Sequence, residues 1–455
     1  MAGALAVAVA NVAACGDDLT SDAPLAPRDG TRLAASWFAF ADGARLPEPF
    51  GAFEGLFDRV EHTTCVQQPW ADGVDRCTPT QVGQALYTDA ACTQVVGRAS
   101  VNETPTHFVG FDWVRGSAHQ ARLYRAGAPI APIGAFYERR DGTCSGPLPA
   151  PVGYSYYASA GEVDVGRLPQ LTIQLVGDGR LAMWVTTSTD GLWLPTSVVD
   201  TELNDPCSPG IDRDGRLRCL PDAQTTTTFA DPACTHPVFV SEPSVGPPSL
   251  IVAVTGRDGC STYHGLGDPI DTAVYSLQSD GACVARPLGG GETVFDTSGE
   301  VTPVELQRSV EPASGRRLQQ IVYEGGGAHF VDVERLHDTA THADCKPAGV
   351  ADRLRCLPAQ IAPTATLFTS STCAIPIDVV LDAHPTCGAA SFATTPDDMA
   401  VDVLHVIGDP VATPLFTGGV GNCTPFVAPP GVTVRAVGPA LDPSVFVHGV
   451  LVEGR

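Results

Sequence analysis

The feature that most constrains the fold is a pattern of three cysteines that occurs three times along the chain. The copies are about 140 residues apart, and the members are Cys65, Cys77 and Cys92, then Cys207, Cys219 and Cys234, then Cys345, Cys356 and Cys373. Self-similarity at a fixed period indicates one structural unit that is used repeatedly. The sequence therefore predicts three related units.

Short motifs around these cysteines set the limits of each unit. An arginine precedes the second cysteine and a proline follows it, as in Arg218-Cys219-Leu220-Pro221. The copies also share an arginine–leucine pair near the start and an aspartate before the first cysteine; these are Arg32-Leu33 with Asp58, Arg180-Leu181 with Asp200, and Arg317-Leu318 with Asp338. We therefore predict β repeat 1 over residues 29–174, repeat 2 over 175–311 and repeat 3 over 312–455.

The composition of each unit favours strands over helices. Apolar runs are short and are interrupted by many of the 47 glycines and 39 prolines, and no segment keeps a helical period over three turns. The predicted fold class is all-β, with three tandem antiparallel β repeats of about 140 residues, arranged as an array of modules or as a closed propeller-like ring. A ring would need two large blades per repeat, because blades of ordinary size would exceed the usual four to eight.

The fifteen cysteines indicate disulfide bonds rather than metal ligands. A reducing cytosol does not maintain so many disulfides, and no C-x-x-C spacing offers a zinc or iron–sulfur site. The first two cysteines of each copy predict the bonds Cys65–Cys77, Cys207–Cys219 and Cys345–Cys356. If bonds stay inside a copy, Cys92 pairs with Cys144, and the equivalent bonds are Cys234–Cys283 and Cys373–Cys423.

Two cysteines, Cys260 and Cys387, fall outside this scheme. They align with each other only loosely. Two alternatives stay open: they are free thiols, or copies 2 and 3 use short bonds such as Cys373–Cys387.

The amino terminus has the pattern of a bacterial lipoprotein signal. Residues 5–14 are apolar and end at Val12-Ala13-Ala14-Cys15, before Gly-Asp-Asp. About ten apolar residues suit a signal-peptide core and are too few to span a bilayer. We predict a signal peptide over residues 1–15, lipidation at Cys15 and a tether over residues 16–28. Because Met1-Ala2-Gly3 carries no Lys or Arg, either the true start lies upstream or the likeness to a lipobox is accidental.

Charge narrows the classes of partner. Acidic residues outnumber basic ones by 51 to 27, the net charge is −24, and Lys346 is the only lysine. Such a chain repels nucleic-acid phosphates and anionic lipid headgroups. We therefore expect no nucleic-acid partner, membrane contact only through the lipid anchor, and an exported monomer in the cell envelope, in the periplasm or on the outer surface.

No constellation of residues indicates a catalytic site, a metal or a cofactor. The motifs of nucleophile elbows, zinc proteases, phosphate loops and dinucleotide-binding folds are absent. Asp212-Arg213-Asp214-Gly215 resembles the start of a calcium loop, but Arg216 and Arg218 stand at the next ligand positions, which favours a turn. We interpret four histidines as polar strand or turn residues rather than ligands: His264, His337, His342 and His405.

The five tryptophans could line a carbohydrate-binding face; they are Trp37, Trp70, Trp113, Trp184 and Trp193. Trp37 and Trp184 stand at comparable places near the starts of two copies. Large aromatic side chains at equivalent positions favour a role in core packing.

The pattern as a whole resembles secreted bacterial lipoproteins of an uncharacterised cysteine-rich repeat family. The likeness rests on the paired cysteines, the Arg-Cys-Leu-Pro turn, the aromatic-x-Asp-x-x-Cys strand and the lipobox before Cys15. It implies location and architecture but no activity. We expect a non-enzymatic, envelope-anchored lipoprotein whose stapled repeats bind an extracellular glycan or protein. The alternative is an extracellular, glycan-directed hydrolase whose carboxylates are assembled from different repeats.

Overall fold

The computed structural model describes residues 27–48, 56–114, 117–140, 143–241, 250–255, 260–278, 282–311, 316–350, 353–382, 390–397, 400–412, 414–419, 421–428 and 432–452. Within these residues every regular element is a strand except two 3-10 turns, Val165–Arg167 and Pro443–Val445. None of this part of the chain forms a helix that could cross a bilayer. The predicted all-β class is confirmed. The predicted signal peptide, Cys15 and all but the last two residues of the tether lie outside the described residues.

Along the chain, strands of a central ring alternate with strands of three barrels. The first ring strands are β1 (Leu33–Ala35), β2 (Trp37–Phe40), β3 (Arg45–Pro47), β4 (Leu56–Asp58), β5 (Thr63–Pro69) and β6 (Asp75–Pro79). Barrel 1 follows with β7 (Val82–Tyr87), β8 (Val95–Ser100), β9 (His107–Val114), β10 (Ser117–Ile130), β11 (Ala135–Arg140), β12 (Thr143–Pro149) and β13 (Tyr154–Val163).

The second repeat has the same plan. Its ring strands are β14 (Leu171–Val176), β15 (Leu181–Ser188), β16 (Trp193–Asp200), β17 (Asp205–Ile211) and β18 (Leu217–Pro221). Barrel 2 contains β19 (Gln224–Thr226), β20 (Thr228–Phe229), β21 (Pro237–Ser241), β22 (Ile251–Thr255), β23 (Ser261–Ile270), β24 (Val274–Leu277), β25 (Cys283–Arg286) and β26 (Thr293–Val301).

The third repeat ends with one extra ring strand. Its ring strands are β27 (Gln307–Glu311), β28 (Leu318–Gly325), β29 (Ala328–Asp338), β30 (Ala343–Val350) and β31 (Arg353–Pro358). Barrel 3 contains β32 (Ile361–Phe368), β33 (Pro376–Asp382), β34 (Phe392–Asp397), β35 (Ala400–Pro410), β36 (Leu415–Gly419), β37 (Asn422–Phe426) and β38 (Thr433–Ala440), and the last described strand is β39 (Gly449–Val452).

Four small sheets form a propeller-like ring. We name them blade 1 (order β1-β4-β5-β6), blade 2 (β14-β15-β16-β17-β18), blade 3 (β27-β28-β29-β30-β31) and the closing blade (β3-β2-β39). The closing blade joins opposite ends of the described chain, because Trp37–Phe40 pairs antiparallel with Gly449–Val452. The structure is therefore a ring. The expectation of two blades per repeat is wrong, because the second half of each repeat forms a barrel.

Barrels 1 and 3 are closed and five-stranded. Barrel 1 runs β7-β8-β13-β10-β9 and returns to β7, and barrel 3 runs β32-β33-β38-β35-β34 and returns to β32. A closed ring with an odd number of strands must contain a parallel pair, which is β7–β9 in barrel 1 and β32–β34 in barrel 3. Barrel 2 has the same strand order, but its first strand is interrupted at Thr227. Closure removes exposed strand edges, which are otherwise sites of aggregation.

The motif leucine of each repeat ties its blade to the next one. Its amide donates to the hairpin turn of the following blade in three equivalent bonds: Leu33 N to Asp190 Oδ2 (2.7 Å), Leu181 N to the Gly326 carbonyl (3.0 Å) and Leu318 N to Asp42 Oδ2 (2.7 Å). All three leucine side chains are completely buried. The contacts run round the ring in one direction.

The apolar cores of the ring lie between blades rather than within them. One cluster joins Leu33 of blade 1 to Leu171 of blade 2. A second joins blade 2 to Tyr323 of blade 3, and a third joins Leu318 of blade 3 to Phe40 of the closing blade. Burying one such side chain stabilises the fold by about 1.5–3 kcal/mol. A blade on its own would expose this surface, which explains why the blades form a ring and not an array.

The motif arginine and aspartate form the same ion pair in every repeat. The pairs are Arg32–Asp58 (2.6 Å), Arg180–Asp200 (2.8 Å) and Arg317–Asp338 (2.6 Å). All three aspartate side chains are at least 98% buried, and the arginines are 21–29% exposed. Asp200 also accepts the backbone amides of Glu202 and Leu203, which shapes the turn before the first cysteine. Its hydrogen bond raises the pKa of Arg180.

Six disulfide bonds are present among the described residues, in two sets of three. The short set links the last two strands of each ring sheet: Cys65–Cys77, Cys207–Cys219 and Cys345–Cys356. The long set attaches a hairpin to each barrel: Cys92–Cys144, Cys234–Cys283 and Cys373–Cys423. These are the pairs that the sequence analysis names. In the chain-entropy model a short loop contributes about 3 kcal/mol and a loop of some fifty residues about 4 kcal/mol.

Cys260 is also disulfide-bonded. The six bonds above use twelve of the fifteen cysteines, and Cys15 and Cys387 lie outside the described residues. Two alternatives left open by the sequence are therefore wrong. Cys260 is not a free thiol, and Cys373 does not bond Cys387 because it bonds Cys423.

We predict that Arg180→Met lowers the free energy of unfolding by about 3 kcal/mol, because it leaves the buried Asp200 carboxylate without its counter-charge. Adding Asp200→Asn should recover part of this loss, since the double mutant no longer buries an unpaired charge. Denaturant unfolding of the oxidised protein measures both.

The matched control is Arg167→Met, which breaks the exposed ion pair with Asp164. This pair should contribute less than about 1 kcal/mol. Equal losses for the Arg180 and Arg167 variants, or strictly additive effects in the double mutant, would contradict a structural role for the repeated pair.

Candidate functional site

Blade 3 differs from blade 2 in strand β29, which corresponds to β16 of blade 2. In blade 2 the register between β15 and β16 is interrupted by a single extra residue, Thr196. In blade 3 the corresponding interruption in β29 contains residues 332–335. A bulge re-aims the side chains of its strand and often lies beside a functional site. The sequence of this bulge is Asp-Val-Glu-Arg.

Asp332, the first residue of the bulge, is buried and accepts four hydrogen bonds. Its Oδ1 accepts the backbone amides of Glu334 and Arg335, both at 2.9 Å. Its Oδ2 accepts Arg335 Nε at 2.8 Å and the Tyr323 hydroxyl at 3.2 Å. Because both of its oxygens accept hydrogen bonds from residues of the bulge, Asp332 shapes the bulge.

Arg335 links this cluster to blade 2. Its Nη2 donates to the Pro209 carbonyl at 3.2 Å and to the Tyr323 hydroxyl at 3.3 Å. Burial alone would lower the pKa of Arg335, but the Asp332 carboxylate offsets this and the pKa is raised. Burial also raises the pKa of Tyr323, so the phenol stays a neutral donor. The cluster therefore fixes the relative position of two blades.

The bulge borders a cleft of about 410 Å³ between blades 2 and 3, which we name the blade 2–3 cleft. Three charged side chains at its rim are exposed: Asp222, Glu334 and Lys346. None of these three has an ion-pair or hydrogen-bond partner for its side chain among the described residues. The unpaired charges at the rim of the cleft are available to an incoming ligand, whereas Asp332 and Arg335 already pair with each other.

A second cleft of about 360 Å³ adjoins the first and shares Arg335 and Gln360 with it. Arg308 Nη2 lies 2.5 Å from Asp344 Oδ1, and His337 Nδ1 lies 3.0 Å from the same oxygen. The Asp344 charge is thus already matched within the protein. The two clefts share lining residues and both border blade 3, and we name them together the groove along blade 3.

The histidines of the sequence analysis occupy several environments. His264 and His405 lie on equivalent barrel strands, where they contact Thr262 Oγ1 (3.0 Å) and the Gly438 carbonyl (3.1 Å). His337 and His342 line the adjoining cleft, and His342 has a positive φ of 53° in a turn. No group of three or more potential metal ligands comes together within the described residues.

The calcium-like segment is a turn whose carboxylates are already neutralised. Gly215 N donates to the Asp212 carbonyl at 2.9 Å, and Gly215 has a φ of 78°. Arg218 lies 3.2 Å from Asp212 and 2.7 Å from Asp214. Positive groups therefore stand where a calcium loop would need further oxygen ligands.

The four tryptophans whose side chains the structure describes lie in different environments. Trp70 is buried and donates its indole N–H to Thr78 Oγ1 at 2.9 Å. The guanidinium of Arg28 lies 5.2 Å from the ring centroid of Trp193. Trp37 and Trp184 are partly buried in the ring, and the side chain of Trp113 lies outside what the structure describes. Trp70 therefore packs in the core, and Trp37 packs in part against the apolar cluster that joins blade 1 to blade 2.

A family model for a family of unknown function, DUF7481, matches residues 8–446. The chain belongs to the DUF7481 family. No curated protein matches the chain. No solved structure matches it either.

The sequence analysis of this DUF7481 chain missed Tyr323, Asp332 and Arg335, and weighed Lys346 only as the sole lysine. One signal was present: the spacing from the motif leucine to the motif aspartate is a residue longer in copy 3 than in copy 2. An extra residue inside a paired strand indicates a bulge. The direction in which a bulge turns its side chains depends on the neighbouring blade, which the local sequence does not contain.

We predict that Asp332→Asn destabilises this DUF7481 protein by about 2–3 kcal/mol, because it leaves the largely buried Arg335 guanidinium without a counter-charge. Tyr323→Phe should cost about 1 kcal/mol, the typical value of one hydrogen bond. Denaturant unfolding measures both values.

Glu334→Gln is the matched control, because the same acid-to-amide change falls on an exposed residue of the same bulge. Its effect should stay within about 0.5 kcal/mol. A loss for Glu334→Gln as large as that for Asp332→Asn would mean that the bulge as a whole, and not the Asp332–Arg335 pair, carries the stability.

Proposed function

We propose that this protein is an exported, lipid-anchored, non-enzymatic binding protein that takes an extracellular glycan or protein in the groove along blade 3. The observation that carries the proposal is the asymmetry of an otherwise repeated ring. The buried Tyr323–Asp332–Arg335 cluster occurs in blade 3 and borders the blade 2–3 cleft. The cluster stabilises the contact between blades 2 and 3, but the fold that the repeats share does not explain why it occurs beside this cleft, and such departures from a repeated pattern are expected at functional sites.

The charges of the groove suit binding better than catalysis. The buried Asp332 is saturated by four donors, and Asp344 is paired with Arg308. A general acid or base must exchange a proton during reaction, which such pairing opposes. The exposed Lys346 and Glu334 offer charges of both signs to a ligand, which gives orientation and specificity.

A hydrolase remains the alternative, and one observation favours it. Asp222 follows blade 2 and Glu334 belongs to blade 3, yet both line the blade 2–3 cleft and are exposed. Glycoside hydrolysis uses two carboxylates on opposite sides of the scissile bond. Carboxylates assembled from two repeats are what this alternative requires.

Export is supported by the disulfides. Six bonds occur among the described residues, and disulfides in this number persist in oxidising compartments. Lipid attachment rests on the sequence around Cys15 alone.

The binding proposal is tested with the oxidised mature chain on a glycan array and by titration against solubilised envelope fractions. Lys346→Gln should weaken binding of the tightest ligand found in this screen at least about threefold, because it removes an exposed charge that has no partner within the described residues. Arg353→Gln is the matched control, since Arg353 is exposed on the same blade but does not line the cleft. Unchanged affinity in both Lys346→Gln and Glu334→Gln would exclude the groove.

Release of glycan products that is abolished by Asp222→Asn or Glu334→Gln, with binding retained, would establish the hydrolase instead.

The anchor is tested separately by mass spectrometry of the mature amino terminus from a Gram-negative host. We expect a first residue Cys15 whose mass includes a diacylglycerol group and fatty acyl chains. Cys15→Ser should abolish the modification and release the protein from membranes. An unmodified Cys15 still preceded by Ala14 would contradict lipid anchoring and would leave the groove proposal untouched.

A further inference from the structure

A different cleft, of about 700 Å³, lies between blade 3 and the closing blade. We name it the closing cleft. Its walls include Trp37, Arg45 and Phe40 from the closing blade, and Arg316, Leu318 and Gln320 from blade 3. Its size is in the range of small-molecule sites, which is about 300–1,000 Å³.

The closing cleft differs from the other clefts in charge. The blade 2–3 cleft contains three carboxylates, and its neighbour contains Asp344. Among the described residues that line the closing cleft there are two arginines and no acidic residue. The chain as a whole carries 51 acidic and 27 basic residues. A cationic cleft in so acidic a protein offers an anion a site that the remaining surface opposes.

Both arginines have hydrogen-bond donors to spare. Arg45 is exposed and has no ion-pair or hydrogen-bond partner for its side chain among the described residues. Arg316 donates one hydrogen bond, from Nη1 to the Gly43 carbonyl. Gly43 has a φ of 86°, and a Cβ there would lie 3.2 Å from Arg316 Cζ, so glycine allows this close approach. A guanidinium has five donors in a planar fork that matches a carboxylate.

Asp42 lies close to Arg45 in the sequence, and its carboxylate already accepts backbone hydrogen bonds. Asp42 Oδ2 accepts the Leu318 amide at 2.7 Å, and its Oδ1 accepts the Ala44 amide at 3.0 Å. Asp42 holds the seam between the blades and forms no ion pair with Arg45 or Arg316 among the described residues.

The other residues that line the cleft are apolar, aromatic or neutral. Phe40 and Leu318 line it and are buried, and Trp37 lines it and is partly buried. Gln320 is exposed and supplies a neutral amide donor and acceptor. Apolar and aromatic side chains with a few polar groups are the usual composition of a small-molecule site, and an aromatic side chain can stack on a ring.

We propose that the closing cleft binds a carboxylate carried on a six-membered ring, with Arg45 and Arg316 on the carboxylate and Trp37 against the ring face. A uronic-acid residue of a glycan and a free aromatic acid share this chemistry. The proposal does not depend on the groove along blade 3, because the two sites share no residue.

The experiment is isothermal titration of the oxidised mature chain, with tryptophan fluorescence as a second readout. The probes are trigalacturonate, its neutral counterpart galactotriose, benzoate and inorganic sulfate. We expect trigalacturonate or benzoate to bind at least about tenfold more tightly than galactotriose, since the neutral sugar cannot form the charge-assisted hydrogen bonds of a carboxylate. Tighter binding of trigalacturonate than of benzoate identifies a glycan acid as the source, and the reverse identifies a free aromatic acid. Sulfate should bind weakly because it offers no ring.

Variants locate the site. Arg45→Gln should weaken binding of the carboxylate probe severalfold without affecting the fold, because Arg45 is exposed and has no partner. The double variant that combines Arg45→Gln and Arg316→Gln should weaken binding of the carboxylate probe at least about tenfold. Arg167→Gln, on an exposed arginine far along the chain, should change nothing, and Lys346→Gln should leave this binding intact. The proposal is overturned if galactotriose binds as tightly as the tighter of the two carboxylate probes, if no carboxylate probe binds at millimolar concentration, or if Arg45→Gln binds that probe like the unmodified protein.

Discussion

Three equivalent ion pairs between a motif arginine and a buried motif aspartate determine how this chain folds. In each repeat the arginine directly precedes one strand and the aspartate ends the strand paired with it, as Arg180 and Asp200 do in blade 2. The residue after the arginine is the leucine whose amide reaches the next blade. Placing the arginine therefore places the leucine, and the leucine sets the position of the neighbouring blade. The same pair also fixes the turn that precedes the first cysteine.

The disulfides add to the stability of the ring, which apolar packing alone provides only weakly. Three seams between blades each hold a small apolar cluster, and each of these clusters contains one short disulfide, such as Cys207–Cys219 between blades 2 and 3. Small cores bury too little apolar surface to offset the conformational entropy of the chain by a wide margin. Crosslinks that restrict the unfolded chain compensate for this, in the compartment where they can form.

The sequence predicted the repeated features and missed those made by contact between repeats. Strand-rich composition and the period of the cysteines were enough for the all-β class. The barrels were not foreseen, because the parallel pair that closes them, such as β7–β9, joins segments that local patterning does not relate. The closing blade was missed for the same reason, since β39 pairs with β2 from the opposite end of the described chain. At the candidate site, Arg335 acquires its role only because Pro209 of another blade lies within reach.

Function in a repeated ring is best sought where the repeats stop being equivalent. The ion pairs, the leucine contacts and the short disulfides recur in all three repeats, so selection for folding accounts for them. Two of the places where the equivalence breaks border clefts: the bulge of residues 332–335, and the seam where the closing blade replaces a full five-stranded sheet. Folding does not require Lys346 or Arg45 to be exposed without partners, and leaving such charges unpaired contributes nothing to stability. Their position in the two clefts at these irregular seams is the physical reason to propose that the clefts bind ligands.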